Sequence, residues 1–314
     1  MRSPGFAFLC LVAMLLHGIA FAQAFDPGKA AFSVRYKEEH SPFRVNGVFL
    51  MPGESLKLEV PGQHRGSFGL EHCHGTAARV SDKAWTWRAP DSAGLYPLQL
   101  HRQGTPDTVL FNAFVMVPAS EMNGGKLQGY RIGKYPEPRL KGLAFYRPPE
   151  GFVRMDSAAA EALVSPHFRL GQFKCKQAGG PPAFVLLKER LVLKLELVLE
   201  KANAAGYASS TFHVMSGYRT PYYNRSLGNV RQSAHLYGGA ADIFIDADGD
   251  GMMDDLNRDG KSDGGDSGLL FELVDAMSVN EFYIPYLGGI GKYSRNASHG
   301  PFVHVDVRGF RAVW

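Results

Sequence analysis

The sequence predicts a two-domain protein, with an all-β sandwich of immunoglobulin type at 25–120 and an α+β domain in the second half. Short runs of alternating apolar and polar residues support the sandwich, such as SLKLEV at 55–60 and LYPLQLHR at 95–102. A longer apolar run, VLFNAFVMV, follows at 109–117. Turn-forming sequences of the PGE, PGQ and DSAG kind separate these runs at regular spacing, as in sandwiches built from short strands.

The second half begins after a Pro- and Gly-rich stretch at 121–164, which we interpret as an extended connector. In the domain that follows, at 165–314, the leucines of 184–205 fit both a strand and a helix. The length of this segment and its Leu, Lys, Glu and Ala content favour a helix. Alternation predicts strands at 241–246 (ADIFID) and 302–307 (FVHVDV).

Residues 1–22 have a basic start, an apolar stretch and small residues at a cleavage spacing, which is typical of a secretory signal peptide. We therefore expect an exported protein, periplasmic or extracellular in a bacterium, and no other stretch approaches membrane length. Loss of the signal would remove Cys10 and leave Cys73 and Cys175. These two cysteines could pair in an oxidising compartment, although spacing alone does not establish the bridge.

Two other compositional features have limited functional meaning. The chain has a net charge of +4 but no basic stripe interleaved with aromatic residues, so nucleic acid is not expected as a partner. The motif EHCHG at 71–75 would place His72 and His74 on one strand face. Without further ligands at readable spacing, a loop or strand edge is the favoured interpretation over a metal site.

Three residues in the second half form the candidate metal site. Asp242 lies in one predicted strand and His304 in another, and His235 precedes the first strand across a Gly-Gly turn. Two neighbouring strands could present Asp242 and His304 to one ion, with His235 as a third ligand from the loop. Such a site, called the metal triad below, leaves a coordination position open for catalysis.

Around these residues the chain resembles a known family over roughly 165–314. SGYRTxxxN, SAHLYGGAAD and FVHVD are similar to motifs of the zinc D-alanyl-D-alanine carboxypeptidases and murein endopeptidases, and the likeness is to an exported bacterial branch. The resemblance implies a hedgehog/DD-peptidase type of fold, zinc at the metal triad and peptidoglycan peptides as substrate. The pattern S-x-H-x-x-G-x-A-x-D matches in full at Ser233, His235, Gly238, Ala240 and Asp242.

The resemblance also implies roles for residues around the metal. Arg219 corresponds to the residue that anchors a substrate carboxylate, for which a guanidinium fork is suited. Some members have a Glu three residues before the last ligand, where this chain has Pro301. Others have a His five residues before it, and the chain has His299 there, so proton transfer or oxyanion stabilisation is assigned to His299. Asp306 would orient a ligand, or would be a plain surface residue.

An acidic insert at 246–266 separates the second and third ligands. Its eight aspartates face only two cations, and its oxygen-bearing residues recur with a nine-residue period. The spacing is similar to that of dockerin or thrombospondin-type calcium repeats, and we expect structural calcium rather than a disordered acidic loop. The predicted calcium ligands are Asp246, Asp248, Asp250, Asp254, Asp255, Asn257, Asp259, Asp263 and Asp266.

Together these patterns favour an exported zinc peptidase that acts on peptidoglycan stem peptides or cross-links, at a D,D or an L,D bond. A second hypothesis is a peptidoglycan-binding module that retains the fold without catalysis. A third is a calcium-dependent cell-surface binding protein, which would leave the metal triad unexplained. The sequence identifies no protein partner for the β-sandwich.

Overall fold

The computed structural model describes residues 25–314, in which strands far outnumber helices. No helix within this range is long and apolar enough to cross a membrane. The strands of the first half are β1 (Lys29–Tyr36), β2 (Glu39–Phe43), β3 (Val45–Leu50), β4 (Ser55–Glu59), β5 (Phe68–His72), β6 (Thr76–Ser81), β7 (Ala84–Arg88), β8 (Gly94–Arg102) and β9 (Thr108–Val115).

These strands form two sheets that share one apolar core. One sheet has the order β2-β1-β4-β7-β6, and the other has the order β3-β9-β8-β5. Buried residues from both sheets, among them Leu56, Trp87 and Phe111, belong to the same core. Trp85 and Trp87 are both buried on one face of β7, as their two-residue spacing predicts. The first half is therefore a β-sandwich, and its assignment to the immunoglobulin type stays a prediction.

The second half contains shorter strands and four α-helices. The strands are β10 (Val117–Pro118), β11 (Lys126–Leu127), β12 (Tyr130–Arg131), β13 (Gly151–Met155), β14 (Leu163–Ser165), β15 (Phe168–Arg169), β16 (Ala183–Val185), β17 (His213–Ser216), β18 (Ala240–Phe244), β19 (Gly289–Tyr293), β20 (Phe302–Asp306) and β21 (Ala312–Val313). The central sheet has the order β17-β18-β20-β19-β21. The helices are α1 (Ser157–Glu161), α2 (Glu189–Ala204), α3 (Pro221–Ser226) and α4 (Gly264–Met277).

The helix expected at 184–205 begins later than its composition predicts. Ala183–Val185 pairs with β13 as strand β16, so α2 starts at Glu189. Residues 191–199 of this helix are all buried, which is typical of a helix enclosed by packing on several sides. Strand pairing with a distant segment has overridden the local preference for helix.

The stretch 121–164 carries more regular structure than its Pro and Gly content predicts. It contains β11, β12, β13, α1 and most of β14. Ile132, Tyr146 and Phe152 are fully buried. Apolar residues between the prolines and glycines therefore anchor this segment to the second half, although their irregular spacing shows no helix or strand period.

Polar contacts join the two halves beside a continuous apolar core. Glu189 at the start of α2 accepts a hydrogen bond of 2.7 Å from Lys37. Asn112 of β9 donates to the Leu163 carbonyl oxygen at 2.8 Å. Phe49 and Phe114 of the sandwich belong to the core of the second half. The sandwich is thus packed against the domain that holds the candidate site.

The structure decides the open question of the disulfide and places the EHCHG motif at a strand edge and loop, as the sequence favours. Cys73 is exposed and Cys175 is buried, and the two thiols are free, so the possible bridge is not formed. β5 ends at His72, and His74 follows in the connection to β6, so the two histidines do not share a strand face. Instead, His72 bonds the His74 carbonyl oxygen. The predicted signal at 1–22 and Cys10 lie outside the described residues.

Candidate metal centre

Strand pairing brings the metal triad together. β18 and β20 are antiparallel neighbours, and Asp242 lies directly opposite His304 in their register. His235 comes from a short 3-10 helix that ends at Gly238, where φ is +65°. A Cβ atom at Gly238 would lie 2.6 Å from the Leu186 carbonyl oxygen. Glycine is therefore required both for the turn and for the close approach that returns the chain to β18.

The donor atoms of the metal triad converge on a small volume. Asp242 Oδ1 lies 3.2 Å from His235 Nε2 and 2.9 Å from His304 Nδ1. The two imidazole nitrogens are 3.2 Å apart. Zinc bonds to nitrogen and oxygen are about 2.0–2.2 Å long, so tetrahedral ligand atoms are separated by roughly 3.3 Å. The three side chains fit a zinc ion with little rearrangement.

The outer nitrogen of each imidazole also has a partner. His235 Nδ1 lies 2.7 Å from the Gly217 carbonyl oxygen, and His304 Nε2 lies 3.1 Å from Asp306 Oδ2. Such contacts orient a ligating imidazole and select the tautomer that presents its other nitrogen to the metal. Asp306 is fully buried, so the expectation that it orients a ligand is supported over the alternative of a surface residue.

Burial and close contacts shift the pKa values of these groups. Burial lowers the pKa of His235, which favours the neutral imidazole that a metal requires. Burial alone would raise the pKa of Asp242, but His235 and His304 hold it well below its usual value. Burial alone would lower the pKa of His304, but hydrogen bonds with Asp242 and Asp306 raise it. A metal ion at this site requires the neutral form of both imidazoles.

Arg219 lies at the metal triad and contacts a ligand. Its Nη2 donates to Asp242 Oδ2, and its Nε donates to Ser216 Oγ at 2.8 Å. Within residues 25–314, Nη1 makes no hydrogen bond. The guanidinium thus neutralises Asp242 and still has a free edge for a substrate carboxylate.

His299 lies in the loop before β20 and does not touch the metal triad. Its Nε2 is 2.8 Å from Asn296 Nδ2, and its Nδ1 is 2.8 Å from the Gly300 carbonyl oxygen. Its ring centroid lies 4.9 Å from that of Phe302. The structure therefore brings four predicted residues together, namely His235, Asp242, His304 and Arg219, and does not bring His299 into contact with them.

Two residues that support the site were missed in the sequence. Arg308 forms an ion pair with Asp306, and Lys194 of α2 donates to the Asp306 carbonyl oxygen at 2.8 Å. Burial lowers the pKa of Lys194 to about 8. Arg308 had a weak signal, because it follows Asp306 at a two-residue spacing. Lys194 had none, since it comes from a helix more than a hundred residues away.

The acidic insert forms two turns of the same construction. Gly251 N donates to Asp246 Oδ2 at 3.2 Å, and nine residues later Gly260 N donates to Asp255 Oδ2 at 2.7 Å. The nine-residue period in the sequence thus appears as a repeated backbone conformation. The carboxylates of Asp246, Asp248 and Asp254 lie close enough together to hold one ion.

The end of the insert has a different role. Asp263 is the N-cap of α4, and Asp266 completes a capping box with it. Asp266 Oδ1 also accepts backbone hydrogen bonds from Leu256 and Asn257. Backbone amides therefore satisfy Asp266 without a cation.

A cavity of about 930 Å³ lies beside α3 and is lined by Tyr135, Asn224, Arg225 and Leu236, among others. It contains none of the metal triad. The candidate chemistry is accordingly assigned by the convergence of donor atoms rather than by the size of a cavity.

The geometry defines a mononuclear metal site on paired strands, and comparison with known families agrees. Residues 166–268 match the family model described as Peptidase M15, which confirms the resemblance to the zinc D-alanyl-D-alanine carboxypeptidase and M15 peptidase family. The matched segment includes Arg219, His235 and Asp242. None of the curated proteins matches the chain.

Proposed function

We propose that the protein is an exported zinc metallopeptidase that hydrolyses peptide bonds in peptidoglycan stem peptides or cross-links. The observation that carries the proposal is the convergence of the metal triad within a segment matched to the M15 peptidases. Export rests on the sequence of residues 1–22. The β-sandwich, packed against the peptidase domain, would position the enzyme on the cell wall.

The side chains support a hydrolytic mechanism. Zinc at the metal triad would supply a Lewis acid and lower the pKa of a bound water. Asp242 contributes the negative charge of the ligand set, while Asp306 keeps His304 oriented through Nε2. The free Nη1 edge of Arg219 would hold a carboxylate of the peptide. His299 would move a proton to the leaving amine, for which its loop must bring the ring closer to the metal triad.

Substitution His235→Ala tests this proposal. Because the side chain is 2% exposed and supplies one of three ligands, we expect the purified variant to lose zinc and hydrolysis of defined muropeptides. His72→Ala, which changes a half-buried histidine of the sandwich, serves as the matched control and should retain both. Zinc content is measured by elemental analysis and cleavage by mass spectrometry of the products.

Two outcomes would contradict the assignment. Retention of both zinc and hydrolysis by His235→Ala would exclude the metal triad. An unaltered protein that holds zinc and binds muropeptides but cleaves none would be the non-catalytic binding module. Mass analysis of the fragments also identifies the scissile bond as D,D or L,D and as terminal or cross-linking.

For the acidic insert we propose one structural calcium ion in its first turn. Asp246 is only 7% exposed at its side chain, and its Oδ1 has no hydrogen-bond partner within residues 25–314. Burial and the neighbouring carboxylates of Asp248, Asp246 and Asp250 raise the pKa of Asp254. A hard cation such as calcium, which prefers oxygen ligands, would offset the repulsion between these carboxylates. The remaining predicted ligands, Asp255, Asn257, Asp259, Asp263 and Asp266, would hold the second turn and the start of α4.

A further inference from the structure

Four aromatic side chains run without a gap from the metal triad to the loop before β20. The Trp314 ring centroid lies 5.2 Å from that of His304, and Trp314 Nε1 donates to Tyr293 Oη at 2.7 Å. Tyr293 stacks on Phe302 with centroids 4.4 Å apart, and His299 follows 4.9 Å from Phe302. We call Trp314, Tyr293, Phe302 and His299 the aromatic strip.

The backbone beneath Trp314 is built to hold its ring in this place. Gly291 pairs with His304, and both Gly289 and Gly291 face the indole. A Cβ atom would lie 2.8 Å from the indole at Gly289 and 2.5 Å from it at Gly291. Backbone hydrogen bonds join Trp314 to Ile290 and Lys292 on the neighbouring strand. Because Gly289 and Gly291 have no side chains, they leave room for the indole to pack against His304 of the metal triad.

Exposure separates Trp314 from the other two tryptophans. The Trp314 side chain is 48% exposed, whereas Trp85 and Trp87 in the sandwich core are at most 5% exposed. Burial of an aromatic ring is favourable, and half-exposed rings beside a reactive group commonly supply the apolar wall of a binding site. Anything that approaches His304 from this side must contact the indole.

The rings of the aromatic strip differ in exposure. Phe302 is 6% exposed and belongs to the core of the second half, whereas Trp314 is 48% exposed. Tyr293 and Phe302 form the next pair after Gly291 and His304 on this face of the sheet. A ligand at the metal triad can therefore contact the indole but not the ring of Phe302, and Tyr293 supports the indole from the side.

We propose that Trp314, held in place by Tyr293, contacts the bound peptide at the residue beside the scissile bond. This inference rests on the proposed peptidase function and assigns a substrate contact to a residue outside the metal triad.

Substitutions Trp314→Ala and Trp314→Phe test the strip in the zinc-loaded full chain. For a defined disaccharide pentapeptide, we expect Trp314→Ala to raise KM about tenfold with kcat little changed, because one aromatic contact is lost from binding. Trp314→Phe should restore most of the affinity. Phe282→Ala removes another aromatic ring, 61% exposed, and should leave KM unchanged. All variants should retain zinc.

A second measurement keeps the test independent of folding defects and of catalysis. Trp314 is the sole tryptophan after residue 120, so titration of the unaltered protein with the same muropeptide should change its indole fluorescence saturably. The proposed contact between Trp314 and the peptide would be contradicted if Trp314→Ala retained zinc with an unchanged KM. It would also be contradicted if the fluorescence did not change at a saturating peptide concentration. If the muropeptide changes the fluorescence saturably but is not hydrolysed, the proposed peptidase function is contradicted, whereas the proposed contact between Trp314 and the peptide is not.

Discussion

The metal triad and the acidic insert use similar side chains in contrasting surroundings, although Asp246 follows Asp242 by only four positions in the chain. Asp242 is 4% exposed and is held between two imidazoles and a guanidinium. The insert consists of carboxylates on turns that mostly face solvent. The pKa of Asp242 falls well below its usual value, whereas that of Asp254 rises.

The contrast teaches that partners, more than burial, decide whether a carboxylate stays charged. Burial raises the pKa of both residues, but in Asp242 two histidines overcome it, while in Asp254 other carboxylates add to it. The metal triad is also held by long-range strand pairing, whereas the turns of the insert are formed by contacts within five residues. Positively charged or proton-donating partners therefore surround the carboxylate of the first region, whereas the carboxylates of the second region lie mainly beside one another.

The largest effect is expected from Asp242→Asn. The change removes the anionic ligand and leaves the Arg219 guanidinium without its carboxylate, so we expect zinc to be lost and hydrolysis to fall by at least about a thousandfold. Metal analysis and muropeptide digestion measure the two effects. Full activity with bound zinc would show that Asp242 serves only as a partner of Arg219.

A smaller effect is expected when the support of His304 is removed. In Asp306→Asn the imidazole loses the carboxylate at Nε2, and loss of such outer contacts typically weakens metal binding about 10–100-fold. Competition with a zinc chelator measures the affinity. Asp275→Asn provides the control, because Asp275 pairs with Arg311 on the surface. Equal zinc affinity in both variants would exclude the orienting role.

The insert should respond to calcium rather than zinc. At a calcium concentration one hundred times Kd, binding stabilises the folded state by about 2.7 kcal/mol, which raises Tm by several degrees. We expect Asp246→Asn to abolish this response and Asp255→Asn, the matched position of the second turn, to reduce it less. Thermal melts with calcium and with a chelator give the comparison. If the Tm of the unaltered protein does not change with calcium, the proposed calcium site in the insert is contradicted.

The smallest effect concerns a histidine–carboxylate contact that has no third ligand. His167 Nδ1 lies 2.6 Å from Glu196 Oε2. Burial alone would lower the pKa of His167, but Glu196 raises it. The pairing of protonated His167 with Glu196 stabilises the folded state. This contribution is fully present below the unfolded-state pKa of about 6.5, and it is lost as pH rises through the raised folded-state pKa of His167.

We therefore expect the unaltered protein to lose about 1–3 kcal/mol of unfolding free energy as pH rises through that range. Denaturant unfolding of His167→Gln should lack this pH dependence. The difference should not depend on zinc. A zinc-dependent difference would connect His167 to the metal triad.

Much of the candidate site was predictable because its signals are local in the sequence. The alternation in ADIFID and FVHVDV identified β18 and β20, and the facing positions of Asp242 and His304 followed from it. The Gly-Gly turn explained how His235 could return to the strand. The start of α2 was not predictable, because the pairing of Ala183–Val185 with β13 depends on a segment thirty residues upstream.

The sequence by itself determined the donor types of the metal triad, their strand positions and the nine-residue repeat of the insert. Only the tertiary structure decided that Arg219 bonds Asp242, that Lys194 and Arg308 support Asp306, and that Trp314 lies against His304. The physical reason is range. Side-chain alternation and turns depend on neighbouring residues, whereas these contacts require packing between elements that the chain separates by up to more than a hundred residues.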